Sequence, residues 1–192
     1  YIGLDVTGES ALPNSSTQAS GAFSIDNCSD VTIGGTVVGA TNVISGNASH
    51  GLAPDNSPGI VIEGNLIGTD WTGQVAIPNQ SGVTISGDQT GSVIGGTTPE
   101  ARNIISGNSI AGIIAGATGG PHIEGNYVGL NIDGDTPIPN ETGILAAGSD
   151  IIIGGGSTST RNVVSGNIAF NVSVQGILAP TVDNEVRGNY IG

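Results

Sequence analysis

The chain has 192 residues, 34 of them glycine, with three basic residues against sixteen acidic ones and a formal charge of −13. That charge argues against nucleic acid and anionic membrane surfaces as partners, because both are bound through clustered Lys and Arg. Glycine without a strict every-third-residue period excludes collagen, recurring Val, Ile and Leu clusters argue against disorder, and frequent Gly and Pro disfavour long helices. An all-β chain of short strands and tight turns remains.

In chain order, the first segment is YIGLDVTGESALPN at residues 1–14, and it returns as LIGTDWTGQVAIPN at 66–79 and YVGLNIDGDTPIPN at 127–140. An apolar cluster follows each time, at residues 21–25, 82–86 and 143–147. The next segment is IGGTVVGATNVISGN at 33–47, IGGTTPEARNIISGN at 94–108 and IGGGSTSTRNVVSGN at 153–167. Each unit closes on a Gly-Asn pair, at Asn65, Asn126 and Asn189. The repeats therefore span residues 1–65, 66–126 and 127–189, and residues 190–192 start a further one within a single array. The first repeat carries about four extra residues around Ser15–Ser20, as a surface loop would.

Long repeats with identical positions at identical phase suit a solenoid, in which each coil lies on an equivalent coil. The reading is a right-handed parallel β-helix, that sense being the one parallel crossovers prefer. Apolar clusters recurring after roughly 20 residues predict about three coils per repeat, about nine in all, and a rod of ~40 Å at ~4.8 Å per coil. Ile44, Ile105 and Val164 should share one inward column, each stabilising the fold by ~1.5–3 kcal/mol.

The asparagines at the turns, Asn47, Asn108 and Asn167 together with Asn65, Asn126 and Asn189, are expected to form stacked amide ladders, with Asn42, Asn103 and Asn162 in the same scheme. Arg102 and Arg161 share one repeat position, which Thr41 fills in the first repeat, and should reach backbone carbonyls or a nearby acid such as Glu100. Arg187 should pair with a Glu124-type carboxylate across coils. Cys28 has no partner for a disulfide and reads as a small structural residue. His50 and His122 fall at different phases and fit no triad. Catalytic residues and cofactors are accordingly expected to be none.

Two further patterns raise chemistry. Asn131, Asp133 and Asp135 alternate around a glycine, a weak candidate for Ca²⁺, since hard cations take several oxygens from a tight turn. Asn14, Asn79 and Asn140 head sequons at one repeat position, candidates for N-glycosylation in a secreted chain. Acidic turns around Asp5, Asp70 and Asp133 offer carboxylates of the kind that run glycoside hydrolysis, with Trp71 the one sugar-stacking candidate.

With these strings in view, the chain resembles the right-handed parallel β-helix repeats of large secreted and cell-surface proteins of bacteria and some archaea. They carry N-x-I-G-T-D-x-T-G, I-G-G-T-x-x-x-A-R-N-x-I-S-G-N and G-N-x-I-G. The resemblance covers the whole chain and implies a pectate-lyase-like solenoid in an extracellular or cell-surface setting. It implies no particular activity, since such arrays serve adhesins, surface fibres and polysaccharide-processing enzymes alike. An enzyme of this fold would need aspartates clustered on adjacent coils, with a Lys or Arg base in a lyase, and neither is legible. The expected function is a structural module of a filament, stalk or adhesin. Its partners would be copies of itself end to end, further repeats of the same chain, or surface glycans. The in-phase restart at residues 190–192 motivates the first two. The alternative is a carbohydrate-binding or polysaccharide-processing β-helix.

Overall fold

The computed structural model describes residues 1–14, 21–176 and 183–192; the insertion around Ser15–Ser20 lies outside them. Strands are short because glycine and polar turn residues interrupt every apolar cluster. The first coil carries β1 (Phe23–Asp26), β2 (Thr32–Gly34) and β3 (Val43–Ile44), and the second β4 (Leu52–Asp55), β5 (Val61–Glu63) and β6 (Leu66–Ile67). The third has β7 (Ser81–Asp88), β8 (Val93–Gly95) and β9 (Ile104–Ile105), and the fourth β10 (Ala111–Thr118), β11 (His122–Glu124) and β12 (Tyr127–Val128). The fifth has β13 (Thr142–Ala146), β14 (Ile152–Gly154) and β15 (Val163–Val164), and the last β16 (Phe170–Val174), β17 (Glu185–Arg187) and β18 (Tyr190–Ile191). Among the described residues the helical elements are two single 3₁₀ turns, Pro99–Ala101 and Thr158–Thr160.

Every third strand pairs in parallel, giving three sheets of six strands: β1-β4-β7-β10-β13-β16, β2-β5-β8-β11-β14-β17 and β3-β6-β9-β12-β15-β18. The molecule is thus an all-β parallel solenoid, as the repeats imply, but its coil count differs from nine. Six strands per sheet mean five turns from first to last, a stack of roughly 24 Å at ~4.8 Å per turn. Coils begin at Leu52, Ser81, Ala111 and Thr142, about 30 residues apart, so one repeat makes two coils. The physical reason is that three short apolar strands, one per sheet, close each coil.

The core follows from register. Ile62, Ile94, Ile123 and Ile153 lie opposite one another in the second sheet. In the third, Ile44, Ile67, Ile105, Val128 and Val164 form one column, each fully buried. Ile44, Ile105 and Val164 do share a column, but on every second coil. Stacking these columns excludes water from the inner coils, while Val186 and Ile191 of the last coil stay exposed, and parallel pairing keeps like side chains in contact. Glycine is required where coils turn tightly: Gly95 has φ +98, and a Cβ there would collide with the Glu124 carbonyl one coil away.

Alternate coils also extrude a loop. Antiparallel bridges Leu4↔Ala11, Thr69↔Ala76 and Leu130↔Pro137 close these loops, which hold the opening segments of the three repeats. The loops touch along one side, through Trp71 N–H to Gly8 O and Ile132 N–H to Gly73 O.

Candidate functional site

Two columns of asparagine run the length of the solenoid. In one, Asn14, Asn47, Asn79, Asn108, Asn140, Asn167 and Asn171 donate each Nδ2 to the next Oδ1 at 2.8–3.0 Å. In the other, Asn42, Asn65, Asn103, Asn126, Asn162 and Asn189 do the same at 2.9–3.1 Å. Each interior Oδ1 except that of Asn108 also accepts a backbone N–H, and each interior Nδ2 also reaches a carbonyl, as Asn103 does to Ile62 O at 2.7 Å. A buried primary amide needs partners on both ends, and stacking in register supplies them. The asparagines read as ladder positions therefore lie in two separate columns, each advancing by single coils rather than by repeats until Asn167 ends the first on Asn171, four residues on.

That placement bears on the glycosylation expectation at Asn79 and Asn140. Asn79 and Asn140 are 1% and 0% exposed, and their Nδ2 atoms are committed to the ladder. A glycan on either nitrogen has no room in the folded chain. Asn14 is exposed but is likewise a rung, donating to Asn47 Oδ1 at 3.0 Å. At Asn79 and Asn140 the sequon is a ladder asparagine two residues ahead of the Ser81 or Thr142 that opens β7 or β13.

The loop carboxylates are also occupied. Asp70 Oδ1 accepts from Gln74 N and Val75 N at 2.9 and 3.0 Å, and its Oδ2 from Thr72 Oγ1 at 2.6 Å. Burial pushes its pKa up, but these hydrogen bonds from Thr72, Val75 and Gln74 outweigh it and hold the carboxyl below its ordinary value. Asp5 is lowered chiefly by the Thr7 hydroxyl, against desolvation that raises it, with backbone N–H groups of Glu9, Ser10 and Thr7 adding to the lowering. A carboxyl held ionised carries no proton for a leaving group, so neither is poised as a general acid.

Asn131 is the counterpart of Asp70, its Oδ1 accepting from Asp135 N and Thr136 N at 3.1 and 3.2 Å. Its Nδ2 faces the Asp135 carboxylate at 3.1 Å and Gln74 Oε1 at 2.9 Å, and Asp133 takes Gln74 Nε2 at 2.8 Å. The three calcium candidates thus bond within the loop and to Gln74 instead of converging on one point. Among the described residues no group of three or more His, Cys, Asp or Glu could hold a metal ion.

Register brings together one pair that sequence reasoning missed. Asp26 and Asp55 lie opposite each other on β1 and β4, with Ser24 bonding the former at 3.1 Å and Ser86 the latter at 2.6 Å. Two aspartates on adjacent coils were not legible because a coil of about 20 residues does not superpose positions 29 apart. His50 is half-buried, its pKa pushed down by desolvation, and His122 lies 4.0 Å from Glu124; Cys28 is exposed. None of these lies with the aspartate pair in a metal-holding group.

The arginines form the most structured surface feature. Arg102 donates from Nε to Gly125 O at 3.2 Å and lies over the Tyr127 ring, 4.1 Å from its centroid. Arg161 repeats this with Gly188 O at 3.0 Å and Tyr190 at 4.0 Å. The carbonyl contact matches expectation; the ring does not follow from spacing within one repeat, because the tyrosine belongs to the next. Arg187 pairs with Glu185, at 3.0 Å on its own strand, rather than across coils. Thr41 in the first repeat and Leu66 at the start of the second replace both members of the Arg–Tyr pair. A cavity of about 480 Å³ opens there, lined by Thr41, Leu66, Trp71, Glu100, Arg102 and Ile132.

Comparison with protein-family models, with curated proteins and with solved structures finds no match to the chain.

Proposed function

We propose that this chain is a structural module of a secreted or cell-surface filament, stalk or adhesin, in which stacking coils end on end is the working property. The observation that carries the reading is the pair of asparagine ladders, which pass through successive coils without a break. Catalytic solenoids depart from their repeat where chemistry occurs; here the polar interior is spent on holding one coil to the next. The extracellular setting rests on the resemblance of the repeat strings.

The geometry also suits extension. Ile2 pairs with Ile44 at one end of the third sheet, and β18, which carries the same Tyr-Ile-Gly string, forms its other end. A tandem chain with residues 1–189 placed directly before a second full copy should melt as one cooperative unit. It should melt above the single copy and measure about twice as long by small-angle scattering, since neighbouring coils stabilise each other. Two independent transitions would sink the stacking reading. Turnover of an acidic polysaccharide, with or without Ca²⁺, that is lost in Asp70→Ala would replace it with the enzymatic one.

A further inference from the structure

Two of the three cations in this acidic chain face one shallow cavity. About 220 Å³ in volume, it is lined by Thr98, Pro99, Arg102, Thr158, Ser159 and Arg161 among others. Among the described residues neither guanidinium has a carboxylate within ion-pair distance, although sixteen acids were available to the sequence. Each arginine is instead fixed by a ring on one face and a carbonyl at Nε. That arrangement leaves the terminal nitrogens as donors and removes most of the side-chain entropy a ligand would otherwise have to quench.

The larger cavity adjoins this one, for Arg102 and Pro99 line both. At the far end Trp71 is 49% exposed, beside Ile132. The track therefore runs along the axis from an aromatic face to one guanidinium and then to a second. Arg102 precedes β9 and Arg161 precedes β15, two coils apart, or ~10 Å at the spacing of parallel strands. That is close to the length of one disaccharide unit of an extended β-linked glycan.

The geometry points to a binding track for an extended acidic glycan whose alternate units carry a carboxylate, one on Arg102 and the next on Arg161, with a sugar ring stacked on Trp71. Guanidinium forks recognise carboxylates with paired hydrogen bonds, the exposed Thr98, Thr158 and Ser159 offer hydroxyls for ring oxygens, and an indole face suits a pyranose. The combined space falls in the range of ligand sites. Thr41 and Leu66 replacing an Arg–Tyr pair is what opens the Trp71 end. This inference does not rest on the scaffold reading, since the track could be lost without loosening a coil.

Isothermal titration calorimetry of the full chain with an octasaccharide of alternating β-linked glucuronate and N-acetylglucosamine tests it. Its carboxyl-reduced form and an octamer of glutamate serve as comparisons. The uronate glycan should bind, the other two at least tenfold more weakly, and affinity should fall as NaCl rises. Arg102→Gln and Arg161→Gln should each weaken binding tenfold or more, the Lys variants less, and Trp71→Ala several-fold. Because Arg102→Gln also unstacks Tyr127, Ser159→Glu is the decisive variant. It leaves both guanidiniums in place, puts a carboxylate into the cavity, and should abolish binding with an unchanged melting temperature. Absence of binding by the unaltered chain, equal binding of the reduced glycan or the peptide, or full binding by a folded Ser159→Glu chain would each overturn the track.

Discussion

Asn103 donates its side-chain nitrogen to Asn126 Oδ1 at 2.9 Å, one coil away, and Asn126 Oδ1 accepts the Asn103 backbone N–H at 3.3 Å as well. Asn65 treats Asn103 in the same way from the other side, at 3.0 Å for both contacts. One buried amide therefore joins three coils.

Removing such an amide strands its neighbours. Asn103→Ala leaves the buried Asn65 N–H without its acceptor and takes the side-chain donor from the Ile62 carbonyl, whereas Asn65 Nδ2 keeps Ile33 O and Glu63 O and Asn126 Oδ1 keeps the residue 103 N–H. At ~1–3 kcal/mol for each group left unsatisfied, the loss should be about 2–4 kcal/mol. Urea titration should show a matching fall in midpoint with little change in slope. Asn103→Asp should be comparably damaging, because a carboxylate cannot donate to Asn126 or to Ile62.

The turn glycines differ sharply in what they tolerate. Gly95→Ala must place a Cβ at φ +98 against the Glu124 carbonyl, and should cost about 3 kcal/mol or more. Gly91 has a similar φ of +73, yet nothing stands within 4 Å of its Cβ position. Gly91→Asn should be nearly neutral, since asparagine accepts left-handed backbone. Thermal melts of the two variants should separate by several degrees or more.

If the chain is secreted from a glycosylating host, its folded fraction should carry no glycan at Asn79 or Asn140. Glycopeptide mass analysis of material passed over a sizing column reads this directly. A glycan on either residue in monomeric, cooperatively melting protein would contradict the ladder.

Acid should loosen the loops first. The carboxyls of Asp5, Asp70 and Asp88 lie below their ordinary pKa, Asp88 through the Thr90 hydroxyl and N–H outweighing desolvation. A depressed folded-state pKa means the stabilisation is complete above the unfolded value near ~3.9 and is lost as pH falls through the folded value. Stability should therefore be flat near neutrality and decline below about pH 4. Asp70→Asn should leave neutral stability nearly intact, as Asn131 makes the same turn bonds at the equivalent place, and should reduce the acid decline. Urea midpoints at pH 7 and pH 3 measure both.

The all-β class, the parallel solenoid and the turn positions of the asparagines were legible in the sequence. They depend on periodicity, and a duplicated chain displays its period to inspection. The number of coils, the pairing of Asp26 with Asp55, the burial of Asn79 and Asn140, and the stacking of Arg102 on Tyr127 were not. All four depend on how many residues close one turn, which is set by corner geometry: three strands and the glycines between them, with an extruded loop on alternate coils. A repeat of about 60 residues divides equally well into two coils or three on paper. Only packing decides, because two coils of about 30 residues put the Ile44 and Ile62 columns inward and join consecutive ladder amides at 2.8–3.1 Å.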